Sequence, residues 1–263
     1  MKKALKMRLE RWLCVFLWIW LAIPLVYCVG RVFLVDRFMI PSDSMMPEFE
    51  PGDVIWAQKW SYGPRLYRSL DFDGPYPDSF RLPGIGKIRV GDIVVFNTPV
   101  SPLHGDSVWF TINDVCCKRL VGAPGDRIGA VDGHVWNDRI LKPVGSREMQ
   151  ENLRWTWDGL YILSERFNVF PESGNGWTIK NWGPVVVPAK GMTVNLDSSS
   201  MRGLYRRAIE YEMQGTLDSA VNTYTFTHDW FFFLGDNAPN SQDSRYFGFV
   251  PDDFLIGIVI ISK

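Results

Sequence analysis

Two serines and one distant lysine carry the most specific chemistry this sequence offers. Ser42 and Ser44 lie in Pro41-Ser42-Asp43-Ser44-Met45-Met46-Pro47, and Lys118 lies much further along, in the apolar context VCCKRLVG. A serine hydroxyl is a poor nucleophile near neutral pH and needs a neighbouring base to take its proton as it attacks. A lysine amine can be that base only when unprotonated, so its pKa has to fall from about 10.4 toward neutrality, a shift that burial among apolar groups favours. Strand alternation directs Lys118 to one face with Cys116 and Leu120, and Arg119 to the other. Pro41 and Pro47 stiffen the serine run, and Met45 and Met46 are large apolar groups able to shield a site from water. Taken locally, plainer readings stand beside this one. Lys118 can be a strand lysine with a packed stem and a solvated ammonium, and the serine run can be a proline-bounded turn. The three histidines, His104, His134 and His228, are scattered, and no HExxH or paired CxxC occurs. No metal site is therefore expected.

The elements that must position these groups begin with an apolar run. Residues 12–30 read WLCVFLWIWLAIPLVYCVG, without a charge, between Arg11 and Arg31. At a rise of 1.5 Å per residue the run covers roughly 28 Å, close to the hydrocarbon thickness of a bilayer. Lys2, Lys3, Lys6, Arg8 and Arg11 precede it against Glu10 alone. The positive-inside rule then keeps residues 1–11 in the cytoplasm and places the remainder outside. A cleaved secretory signal would share the basic start, but the apolar core is long for one and no convincing small-x-small site follows. Pro24 inside the run is tolerable in a lipid-embedded helix, and Trp12 and Tyr27 suit the two interfaces.

The body beyond the run reads as mainly β. Short β-branched or aromatic stretches at 53–58, 92–97, 115–121, 230–234 and 254–261 are bounded by turn sequences such as Pro51-Gly52-Asp53 and Gly235-Asp236-Asn237. Residues 60–86, rich in Pro, Gly and Tyr, read as an extended surface loop. From 129 to 227 the strand pattern weakens and a helix is expected near 200–213, so this stretch is taken as an inserted subdomain. The catalytic β-core is then 31–128 together with 228–263. A formal net charge of −1 gives no electrostatic case for nucleic acid. Cys14 and Cys28 fall in the apolar run and Cys116 and Cys117 are adjacent, so no disulfide framework is expected.

In chain order, IPSDSMMP, GDIVVF, CCKRLVGAPGD and GDNAPNSQDSRYFGFVP make the sequence resemble the bacterial type I signal peptidases, membrane-anchored serine proteases. The resemblance implies a folded β-sheet or barrel core after one N-terminal transmembrane helix. It implies Ser44 as nucleophile, Lys118 as general base, and an oxyanion site from the Ser44 backbone N–H and the Ser42 hydroxyl. Ser241 would bond the lysine amine, with Asp243 paired to Arg245 and Asp236 paired to Arg119 as supports. Met39, Ile40, Pro41, Met45, Cys116 and Cys117 would line subsites that select small residues at the first and third positions before the cut. Signal peptides of exported preproteins, the lipid bilayer and the secretion translocon are the implied partners, in the inner membrane with the catalytic body outside. No cofactor is implied. One departure stands out: where the family commonly has Arg-Asp in its GDNRDNSxDSR block, this chain has Ala238-Pro239. That change leaves open a catalytically weak homologue that binds exported chains without cutting them.

Overall fold

The computed structural model describes residues 2–69, 71–100, 107–155 and 177–262. Helix α1 (Lys2–Phe33) continues past both ends of the apolar run, because the Lys, Leu, Met and Arg that flank it are good helix formers. Its segment Glu10–Phe33 has mean hydropathy 2.3 and none of the residues in its most apolar window is buried against the rest of the chain. The helix is long and apolar enough to cross a membrane.

Five strands of the main sheet fall where alternation and turn chemistry place them or immediately beside: β2 (Val54–Gln58), β6 (Ile93–Asn97), β8 (Val115–Gly122), β14 (Trp230–Leu234) and β16 (Leu255–Ser262); β1 (Val35–Met39), which the sequence did not mark as a strand, joins them. With β15 (Val250–Pro251) they form a seven-stranded sheet in the order β1-β2-β16-β6-β8-β14-β15, antiparallel throughout. Register shifts occur within β16 against both of its neighbours and within β14 against β8. Such bulges bend a strand and increase its twist, and the sheet curls into a half-barrel. β6 and β14 are buried along their whole length, as strands covered on both faces must be.

Two cores result. The larger one packs Leu120, Phe232 and Phe233 against helix α3 (Ser199–Met213) through Leu204, Tyr205, Ala208 and Ile209. The smaller lies under the serine run and joins Ile40, Met45 and Phe49 to Ile55, Ala57, Ile93 and Val95. Between β8 and β14 the chain forms a three-stranded sheet from β9 (Arg127–Val131), β10 (His134–Asn137) and β11 (Trp182–Val186). It also forms helix α2 (Arg147–Trp155) and the pair β12 (Thr193–Asn195) with β13 (Thr223–Thr225). Glu212, near the end of α3, accepts hydrogen bonds from the Thr227 N–H at 2.6 Å, the His228 N–H at 3.0 Å and Trp230 Nε1 at 2.8 Å. This one carboxylate ties the helix to the start of β14.

The expectation of a plain loop over 60–86 needs correction. β3 (Arg65–Tyr67) pairs with β5 (Ser79–Arg81), and β4 (Asp73–Gly74) with β7 (Phe110–Thr111). The segment has no apolar alternation to reveal it. Arginine anchors it instead: Arg81 donates to the carbonyls of Gly63 and Leu255, both at 2.7 Å. Helix α4 (Ser244–Phe247) lies after β14, with the Asp243 carboxylate accepting from the Arg245 N–H at its start.

Candidate active site

The serine run leaves β1 as a tight turn and is pinned from the opposite side of the sheet by the loop after β14. The Asn237 N–H donates to the Ser44 carbonyl at 3.1 Å, and Asn237 Nδ2 to the Asp43 carbonyl at 3.1 Å. Asn240 Nδ2 holds the Asp43 carboxylate at 3.0 Å. These two asparagines were not among the expected site residues, although both stand in the GDNAPN block. Gly235 lets the two loops meet. A Cβ there would lie 2.6 Å from the Ser44 carbonyl oxygen and 2.2 Å from Ser241 Oγ.

Ser44 and Lys118 come together. Lys118 Nζ donates to Ser44 Oγ at 2.5 Å, and both residues are buried, 5% and 6% exposed. Ser42 Oγ donates to Ser44 Oγ at 3.2 Å. Ser241 is buried beside Gly235, but its hydroxyl makes no hydrogen bond to Lys118. Asp236 grips Arg119 in a bidentate pair, with 2.8 Å to Nε and 2.6 Å to Nη2, and Glu48 reaches the same guanidinium at 3.2 Å. Asp243 and Arg245 form a second, fully buried pair at 2.8 and 2.5 Å. Burial pushes the Asp243 carboxyl up, but the Arg245 charge and hydrogen bond and the Gly235 N–H outweigh it and hold the pKa below the ordinary carboxylate value. The Gly235 N–H bond to Asp243 is 3.0 Å, so this ion pair fixes the loop that backs Ser44.

The Ala238-Pro239 departure has a local explanation. Ala238 starts a 3₁₀ turn, Ala238–Asn240, and packs into a small apolar cluster with Leu153 of α2 and Ile179. A long charged side chain there would displace that contact.

A cleft of about 600 Å³ has Ile40, Pro41 and Cys117, the chain neighbours of the serine run and of Lys118, in its lining, with Asp36, Lys59 and Arg65 among its other walls; Ser44 and Lys118 themselves do not line it. Met39 and Cys116 also line it. Met45 does not: it is 1% exposed and belongs to the core beneath the serine run. Both adjacent cysteines line the cleft although Cys116 packs on the larger core and Cys117 on the smaller, because the cleft lies along an open strand edge. Among the described residues β1 pairs only with β2, and β8 meets β14 only from Arg119 onward. Burial pushes the Cys117 thiol up to about 12, so it stands as a protonated, apolar wall group. Away from the cleft, His228, read as an isolated residue, brings a ring nitrogen near carboxylate oxygens of Asp252 and Asp253, all within 4.8 Å of one another.

A hydroxyl bonded to a buried amine, on a curled antiparallel sheet with two open strand edges beside it, is an arrangement suited to acyl transfer from an extended peptide. The pattern of the family "Signal peptidase, peptidase S26" matches residues 10–262, and the chain belongs to this family of type I signal peptidases, which are serine proteases. It is 28% identical over 254 residues to signal peptidase I of Buchnera aphidicola subsp. Baizongia pistaciae, covering 90% of this chain and 72% of that one. It is 29% identical over 242 residues to signal peptidase I of Pseudomonas aeruginosa, covering 88% and 66%. With signal peptidase I of Rickettsia massiliae the identity is 29% over 252 residues, covering 90% and 75%. A crystal structure of a signal peptidase I from Enterococcus faecalis aligns with a TM-score of 0.34 at 20% identity, covering 67% of this chain and 100% of that chain.

Proposed function

We propose that the protein removes signal peptides from exported preproteins, with Ser44 as nucleophile and Lys118 as general base. The observation that carries this reading is the 2.5 Å contact between Lys118 Nζ and Ser44 Oγ in a buried setting. Ser44 Oγ attacks the scissile carbonyl carbon while its proton passes to the Lys118 amine, giving a tetrahedral oxyanion. The Ser44 N–H and the Ser42 hydroxyl face that charge; the hydroxyl is a rotor that turns from Ser44 Oγ to the substrate oxygen. Lys118 returns the proton to the departing amine as the bond breaks, leaving the signal peptide esterified to Ser44. A water then attacks the ester, with Lys118 taking its proton, and the freed Ser44 Oγ is reprotonated.

The inserted subdomain spans 129–227, and α1 anchors the enzyme with residues 1–11 in the cytoplasm and the β-core outside, as the basic N-terminus favours. The site then works beside the bilayer, where a substrate's cut point emerges beyond its own apolar segment, and where the secretion translocon delivers it. The test is cleavage of a preprotein with a small-x-small site by detergent-solubilised wild type, Ser44→Ala and Lys118→Ala. Wild type should cut and neither variant should. Cleavage that persists in either variant removes the pair; no cleavage by folded wild type supports a homologue that binds exported chains only.

A further inference from the structure

The far end of the cleft has a charge pattern that the chemistry at Ser44 does not use. Arg31, Arg37, Lys59 and Arg65 line it against Asp36, the lone carboxylate of the lining. Asp36 is already shared: Arg31 Nη2 contacts it at 2.6 Å and Lys59 Nζ at 3.2 Å. Arg37 is exposed and has no ion pair among the described residues. Arg65 is more telling. Its guanidinium lies over the Tyr67 and Phe110 rings at 5.2 and 5.1 Å. It donates to the neutral oxygens of Asn97 Oδ1 and the Asp253 carbonyl. No carboxylate reaches it within salt-bridge distance among the described residues. Burial lowers its pKa to about 10, as expected of a buried cation whose charge is left largely uncompensated.

The geometry fixes which part of a substrate meets this end. β1 follows directly on α1 and leads to the serine run, so the cleft wall runs from Pro41, three residues before Ser44, back through Asp36 to Arg31 at the end of the apolar helix. The portion of the substrate that is acylated onto Ser44 lies on the N-terminal side of the cut and must travel back toward its own apolar segment in the same direction. Ile40 is beside the serine run and Asp36 is four residues earlier, about 13 Å at the strand rise. A peptide extended along β1 with its cut residue at Ile40 therefore places about its fifth residue before the cut at the cationic end.

We propose that this end is a charge-selective subsite, contributed by Arg37, Lys59 and Arg65, that favours an acidic residue and rejects a basic one four to six positions before the cleavage site. The proposal rests on the signal-peptidase reading and specifies its substrates. A net positive wall attracts a carboxylate and repels an ammonium, and partial burial limits the screening by salt.

The test uses three preproteins that differ only in Glu, Gln or Lys at the fifth residue before the cut, with kcat/KM measured for the full-length enzyme in neutral detergent. Glu should exceed Lys by about tenfold with Gln between, and Arg37→Glu should collapse the Glu-to-Lys ratio toward one. Raising salt to about 0.5 M should shrink the ratio as well. Equal cleavage of all three substrates by wild type overturns the subsite while leaving the signal-peptidase reading intact. Failure to cut any of them, the Gln substrate included, overturns both. A Glu-to-Lys ratio that Arg37→Glu leaves unchanged also overturns it. A ratio of one, accompanied by Arg37-dependent binding to phosphatidylglycerol vesicles over phosphatidylcholine vesicles, assigns the cations to lipid headgroups instead.

Discussion

Gly235→Ala tests whether the nucleophile is placed by the loop behind it. The added Cβ would stand 2.6 Å from the Ser44 carbonyl oxygen and 2.7 Å from Ser241 Cβ. The Ser241 hydroxyl, also in the way at 2.2 Å, can rotate, but a backbone carbonyl cannot. Restoring an ordinary contact of about 3.4 Å requires Ser44 and Gly235 to separate by roughly 0.8 Å, at an overpacking cost of about 1–3 kcal/mol. That movement would also stretch the 3.1 Å bond from the Asn237 N–H to the same carbonyl. Lys118 sits on β8 and does not follow, so the hydroxyl leaves its partner, and displacements near 1 Å cost about 10²-fold in rate. The expected result in a preprotein cleavage assay is a kcat lower by about 10², KM within about threefold, and a melting temperature lower by only several degrees. Gly215→Ala, where a Cβ meets nothing nearer than 3.9 Å, should change none of these. A folded Gly235→Ala enzyme with kcat within threefold of wild type would refute the claim that this contact places Ser44.

Two further outcomes concern stability. Glu212→Ala leaves the Trp230 indole N–H and the Thr227 and His228 backbone N–H groups without their acceptor; unfolding in detergent should show a loss of about 3 kcal/mol, and an unchanged midpoint would mean that α3 is not tied to β14 there. Asp252 has its carboxyl raised to about 6, first by burial and then by Asp253. In the window from its ordinary value to about 6 the folded chain holds the proton that the unfolded chain has lost, so this group makes stability fall as pH rises through that window. Asp252→Asn should therefore raise the melting temperature at pH 7.5 and leave it nearly unchanged at pH 4; a lower value at pH 7.5 contradicts the reasoning.

Five of the seven main-sheet strands were legible because they alternate or are wholly apolar between turn residues, and α1 because its composition matches its length; β1, with Asp36 and Arg37 inside it, and the two-residue β15 carry neither signal. Ser44 and Lys118 were legible as types in a pattern, but their contact depends on β8 and the serine run being brought together by a curled sheet, which no local signal encodes. Asn237 and Asn240 escaped notice because an asparagine in a turn ordinarily satisfies its own loop; here each reaches across to Asp43. The paired strands within 60–86 were hidden because arginine-to-carbonyl bonds, not side-chain alternation, hold them. Met45 was misread for a related reason: a large apolar residue beside a reactive serine can face the core as readily as the cleft.

The socket that Leu153 and Ile179 make for Ala238 has a consequence for exchange between relatives. A loop braced by an alanine in another segment's pocket cannot be moved as a block, because part of its support, Leu153 and Ile179, is encoded about 85 and 59 residues earlier. Grafting an Arg-Asp version of the loop into this chain, or moving the stretch around α2 into a relative that has that version, should therefore fail singly and succeed together.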